Sequence, residues 1–260
     1  MTEVVRRHPV AVFVVLAYAL SWTLVPFGGL LGCGPFLAAL VVLGILEGRS
    51  GMRSLARRMV QWRVGWGWYA AAVLLPSGVA ALAAVLTVAL GAPEPTGGQL
   101  ASWTEIPFTF VLVLLVPLFG PWEEPGFRGF ALSRLAEQHS SLAAALLVGA
   151  IHVGFHVPLF FTGDIPPSDA VFVMAASVVF AWLVVGSGGS VLVAMVMHAA
   201  NNAVSGEFVS PLFAGADGER LGWIRALLWC LVALLVVPLA GRRFRAGPPA
   251  ETHVPPPAPS

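Results

Sequence analysis

The chain has 260 residues, a formal net charge of +1, 58% hydrophobic residues and only 10% charged ones. Its mean hydropathy is +0.85. A soluble domain carries about a quarter charged residues, so the composition excludes an ordinary soluble protein and points to an all-α, polytopic membrane protein. Every basic residue is an arginine, none a lysine, and the alanine-, valine- and arginine-rich usage suggests a GC-rich bacterial genome and a plasma-membrane location. Net charge says nothing about partners; membrane lipid is expected as one and nucleic acid is not.

Met1 to Pro9 place Arg6 and Arg7 ahead of an apolar run. That resembles a signal peptide, but no small-residue cleavage site follows, so the segment reads as a retained first helix. Windows of roughly 17–25 residues, enough to cross the ~30 Å hydrocarbon layer, predict eight spans. They cover about 9–28, 32–47 (short), 66–91, one from near 106, then about 141–161, 169–186, 190–206 and 222–240. These spans fill residues 1–246 and predict one domain, with its motif-bearing part at about 105–206; the Pro-rich tail 247–260 is predicted to be disordered. Cys33 and Cys230 are isolated and suggest neither a metal site nor a disulfide.

The arginines predict the orientation. Arg6, Arg7, Arg49, Arg53, Arg57, Arg58, Arg63, Arg134, Arg242, Arg243 and Arg245 fall on one side of an eight-span arrangement, and Arg220 and Arg225 on the other. The positive-inside rule then puts both termini in the cytoplasm. The opposite loops carry acidic residues, Asp169 among them. Residues 49–63 suit a basic amphipathic helix on the cytoplasmic surface.

Polar residues interrupt the apolar pattern at three points: Glu123, Glu124 and Arg128 after span four begins, His152 and His156 in span five, and His198, Asn201 and Asn202 in span seven. Ionisable groups at bilayer depth are costly and mark functional sites. Span four can end at Gly120, leaving Glu123 in water, or continue as a broken helix to Glu137 with Pro121 and Pro125 near the start of its second piece, where proline is tolerated. The second reading predicts an antiparallel hairpin of helices 122–137 and 141–160. At 1.5 Å per residue, Glu123 then lies about 24 Å and His156 about 25–26 Å from the turn. His198 and Asn202 would lie about 15 and 21 Å in from the Gly188 turn. The three points converge near mid-membrane only in this reading, which is therefore preferred.

His152 with His156, and His198 with Asn202, are four residues apart and share helix faces. Glu124 and Arg128 are also four apart and can neutralise each other, which leaves Glu123 as the unpaired carboxylate and a general-base candidate. Glu123 with His156 can hold and deprotonate a water; His198 and Asn202 can donate to a developing oxyanion. Together these parts describe peptide-bond hydrolysis by an activated water. A zinc site made by Glu123, His156 and His198, with an open fourth position, is a rival use of the same residues, although no H-E-x-x-H helix is present.

These residues resemble the CPBP family of intramembrane proteases, the CAAX prenyl endopeptidases and their bacterial Abi relatives. The E-E-x-x-x-R motif is matched by Glu123, Glu124 and Arg128, with Gly129 following. The aromatic-x-x-x-His motif is matched at His156 and continued by Val157-Pro158-Leu159-Phe160, but His152 replaces the aromatic. The H-x-x-x-N motif is matched by His198 and Asn202. The resemblance implies an α-helical membrane endopeptidase with a cavity open toward the cytoplasm. Glu123 and His156 would activate water, His198 and Asn202 would form the oxyanion site, and Glu124 and Arg128 would shape it. His152 would enlarge the polar cavity or add a ligand to a zinc ion. A protein or peptide substrate is expected, cut near its C-terminus or in a membrane-embedded segment. Two other functions use the same residues: a non-catalytic membrane scaffold or regulator, and a proton-coupled transporter. A transporter should show inverted repeats, whereas the polar residues cluster in the C-terminal half.

Overall fold

The computed structural model describes residues 2–241 and Phe244. The Pro-rich tail and Arg242, Arg243 and Arg245 lie outside the described residues. The described chain is helical, with no strand among the described residues. Among the described residues thirteen α-helices run in order: α1 Thr2–Arg7, α2 Pro9–Ser21, α3 Gly34–Leu46, α4 Arg49–Met59, α5 Trp66–Ala89, α6 Gly97–Ala101, α7 Ile106–Leu115, α8 Leu132–Ala136, α9 Ser141–Phe155, α10 Val157–Thr162, α11 Ser168–Gly186, α12 Val191–Asn201 and α13 Gly215–Leu239.

Among the described residues five stretches are long and apolar enough to cross a membrane: Pro9–Phe27, Trp66–Ala89, Gly97–Glu123, Ser168–Gly186 and Gly215–Leu239. Gly34–Leu46 and Ser141–Phe155 are shorter apolar helices. The pattern differs from eight regular spans because several predicted spans are broken. Gly97–Glu123 is assembled from short pieces, and α12 passes after Asn201 into wide π-helical turns over Asn202–Val209.

Small residues pack the helices closely. Alanines such as Ala39, Ala72, Ala144, Ala176, Ala194 and Ala199 are buried between helices, while Phe108, Phe161, Leu234 and Leu239 face outward. In a bilayer the tails are as apolar as leucine, so close backbone approach through small residues drives helix packing. Helix α11 packs on α9 and α13, α2 on α3, and α12 on α5.

Prolines set the breaks that build the site. Pro117 disfavours the helical conformation of the residue before it; Val116 is extended (φ −85°, ψ 120°) and α7 stops. Pro121 opens a single 3-10 turn, Gly120–Glu123. Pro125 then begins π-helical turns over Pro125–Ala131 that run into α8. Gly126 is required there, because a Cβ would lie 2.5 Å from the Pro35 carbonyl of α3. After a short turn, Ser140 caps α9 by accepting from the Ala143 amide at 3.1 Å. The segment 120–136 thus continues as a broken helix and packs against α9, rather than ending at Gly120.

The single span predicted for about 141–161 is instead broken at His156, which ends α9 and starts α10. Pro158 explains the break, since it has no N–H for the Gly154 carbonyl and its ring crowds the preceding turn. Side chains from the first span supply donors: Trp22 Nε1 donates to the Phe155 carbonyl at 2.9 Å, and the Tyr18 hydroxyl to that of Ile151.

Candidate active site

The 3-10 turn brings Glu123, the π-helical segment Arg128, the end of α9 His152 and His156, and the α12 junction His198 and Asn202. All of them, with Glu124 and Gly120, line one cavity of about 280 Å³. Glu123, Glu124, Arg128 and His152 are buried. The structure therefore brings together every residue singled out at the three polar points.

The hydrogen bonds define how each group can act. Glu124 and Arg128 pair as the spacing predicts, with NH1 3.2 Å from the carboxylate and both side chains buried. Arg128 NH2 also donates to Ser177 Oγ of α11 at 3.2 Å, and its guanidinium lies 4.6 Å from the Phe180 ring centroid. Arg128 NH1 lies 3.1 Å from His152 Nδ1. Arginine only donates, so His152 Nδ1 is the acceptor and the neutral ring carries its proton on Nε2. That Nε2 is 2.8 Å from Glu123 Oε2 and donates to it. Glu123 is therefore not the unpaired carboxylate expected from sequence; His152 holds it.

His156 Nδ1 lies 3.0 Å from the His152 carbonyl, which can only accept, so Nδ1 carries the proton and Nε2 keeps a lone pair. His198 Nδ1 is 2.7 Å from Glu124 Oε1. Asn201 Nδ2 donates to Asn202 Oδ1 at 3.3 Å, fixing the Asn202 amide. A Cβ built on Gly120 would collide with His198 Nε2 and lie 3.0 Å from Asn202 Nδ2. Two side-chain nitrogens thus flank one point that only a glycine leaves open.

The ligand atoms of Glu123, His152 and His156 lie within 4.8 Å of one another. This differs from the Glu123–His156–His198 set expected from sequence: His152 stands in it where His198 was expected. The donor types suit zinc, but the hydrogen bonds do not. With Arg128 donating to Nδ1, His152 could ligate through Nε2 only as an imidazolate. The Glu123–His152–His156 set therefore does not fit a metal in this arrangement.

One pair in the cavity wall escaped the sequence reading. Arg225 of α13 and Asp169 at the start of α11 were assigned to outer loops; instead Arg225 is buried, its NH2 paired with Asp169 and its NH1 donating to Ser205 Oγ at 3.0 Å. The pairing of α11 with α13 brings them together. Their sequence signal was a charge near the start of each of two spans separated by a third.

A comparison with curated proteins finds no match. Residues 101–204 match the family model described as type II CAAX prenyl endopeptidase, Rce1-like. That segment carries every residue of the three motifs, and over it the chain is similar to this protease family.

Proposed function

We propose that the protein is an intramembrane endopeptidase that hydrolyses a peptide bond with a water held by Glu123 and His156. The observation that carries this reading is the fixed proton pattern in the cavity: Nε2–H of His152 directed at Glu123, and an unprotonated Nε2 on His156. The first orients the carboxylate base and the second accepts a hydrogen bond from the same water. Glu123 takes the water proton as oxygen attacks the carbonyl carbon. The developing oxyanion sits at the point beside Gly120, where Asn202 Nδ2–H and His198 Nε2–H donate to it. Because His198 uses Nδ1–H toward Glu124, its Nε2 donates only in the imidazolium form, with Glu124 as counter-ion. Collapse of the intermediate transfers the proton from Glu123 to the leaving amine, giving a free carboxylate and a free amine.

The hydrogen-bond pattern favours a metal-free site, since Arg128 occupies the second nitrogen of His152. The substrate is a protein or peptide presented from the membrane, through a C-terminal or membrane-embedded segment, in a bacterial plasma membrane with both termini of the enzyme cytoplasmic. A non-catalytic scaffold is the second reading, supported by the Glu124–Arg128–His152–Ser177 contacts that tie three helices together. Glu123→Gln separates the two. It removes the base and keeps the shape, so cleavage of membrane substrates should stop while folding persists. An unchanged biological effect of the variant supports the scaffold.

A further inference from the structure

Helix α4 follows α3 and precedes α5, both apolar helices, and so lies at the surface where the chain leaves the bilayer and returns. Its inner face is fixed. Gly51 and Leu55 are buried, and Arg58 donates to the carbonyls of Gly189 at 2.7 Å and Gly129 at 2.8 Å, and to Ser133 Oγ at 3.0 Å. Its outer face carries Arg49, Arg53 and Arg57, all exposed. They are spaced i, i+4, i+8, so their Cα atoms form a row with steps of about 6 Å. None of the three forms an ion pair among the described residues, and the adjacent Glu47 is taken by Arg134. Trp62 and Trp66 follow, 63% and 84% exposed, as aromatic residues do at the headgroup level.

A row of unpaired guanidinium groups flanked by interfacial tryptophans matches one surface, a layer of lipid phosphates. Guanidinium groups pair with phosphate through parallel hydrogen bonds, and basic side chains beside an anionic leaflet each add to the attraction. Arg58 gives the row a connection. Through Gly129 it holds the π-helical segment bearing Arg128, and through Gly189 the turn from which α12 carries His198 and Asn202. We propose that the Arg49–Arg53–Arg57 row binds the headgroups of anionic phospholipids and that Arg58 couples this docking to the π-helical segment carrying Arg128.

The proposal does not depend on the peptidase reading, because its test needs no activity. The full-length protein is reconstituted in nanodiscs of phosphatidylcholine alone or with phosphatidylglycerol. Lipid retention is read by native mass spectrometry, and hydrogen exchange over 49–59 and 125–136. Wild type should retain phosphatidylglycerol over phosphatidylcholine by roughly a hundredfold, on the order expected for three basic residues, and exchange more slowly in both segments when it is present. Replacing the three arginines by glutamine should abolish both effects. Arg58→Gln should keep the lipid preference and lose the added protection of 125–136. Should the triple variant fail to fold, Arg53→Gln alone must weaken the preference. Equal retention of the two lipids by wild type, an undiminished preference in the arginine variants, or the same protection from soluble glycerol phosphate in phosphatidylcholine discs would overturn lipid docking. Undiminished protection in Arg58→Gln would overturn the coupling.

Discussion

Arg128 sets the proton on His152: its NH1 meets Nδ1 at 3.1 Å, and the opposite ring nitrogen meets Glu123 at 2.8 Å. A charge two links away thus decides how the proposed base is held. The motif that this segment resembles has an aromatic where His152 stands, so this orienting bond departs from that motif.

His152→Phe restores the motif's aromatic and removes that bond. A hydrogen bond to a charged group contributes about 1.5–3 kcal/mol, so cleavage should fall roughly tenfold to a hundredfold with the fold intact. His152→Gln, which can still donate to Glu123, should recover part of the loss. Steady-state cleavage of a membrane-reconstituted substrate by both variants checks this.

The oxyanion pair predicts a different signature. Asn202→Ala should lower kcat by about 10²–10³ with little change in KM, the magnitude typical of one lost oxyanion donor. Gly120→Ala should do the same for a steric reason, since its methyl would occupy the point between His198 Nε2 and Asn202 Nδ2. Both variants should unfold at the wild-type temperature.

Breaking the buried Glu124–Arg128 pair should act on stability. Arg128→Met takes the guanidinium from a fully buried carboxylate and leaves it only His198; breaking a buried pair this way costs about 3–5 kcal/mol. Glu124→Gln in the same chain should return much of the thermal stability without returning activity. Thermal unfolding in detergent reads both.

A metal-free site predicts that the purified protein carries less than stoichiometric zinc by elemental analysis and keeps its activity after dialysis against a strong chelator. Stoichiometric zinc lost together with activity would contradict the metal-free reading.

The sequence made the membrane class, the broken span four and the convergence of three polar points legible, because hydropathy and a rise of 1.5 Å per residue suffice for depth. Azimuth is a separate matter. His152 and His156 share a face, and only the packing of the π-helical segment on α9 decides that His152 meets Glu123. The break at His156 had a signal in Pro158 that the length of the apolar run masked. Asp169 and Arg225 read as loop charges because hydropathy windows assign depth one span at a time, whereas their burial comes from the contact of α11 with α13.

The most direct measurement uses H₂¹⁸O. Membranes from cells producing wild type or Glu123→Gln protein are incubated in labelled water, and newly formed C-termini are identified by mass spectrometry. Hydrolysis by a Glu123-activated water predicts new termini that carry ¹⁸O with wild type and are absent with the folded variant. The same termini, formed at the same rate by Glu123→Gln, would contradict the role of Glu123. No new termini from folded wild type would contradict the peptidase reading itself.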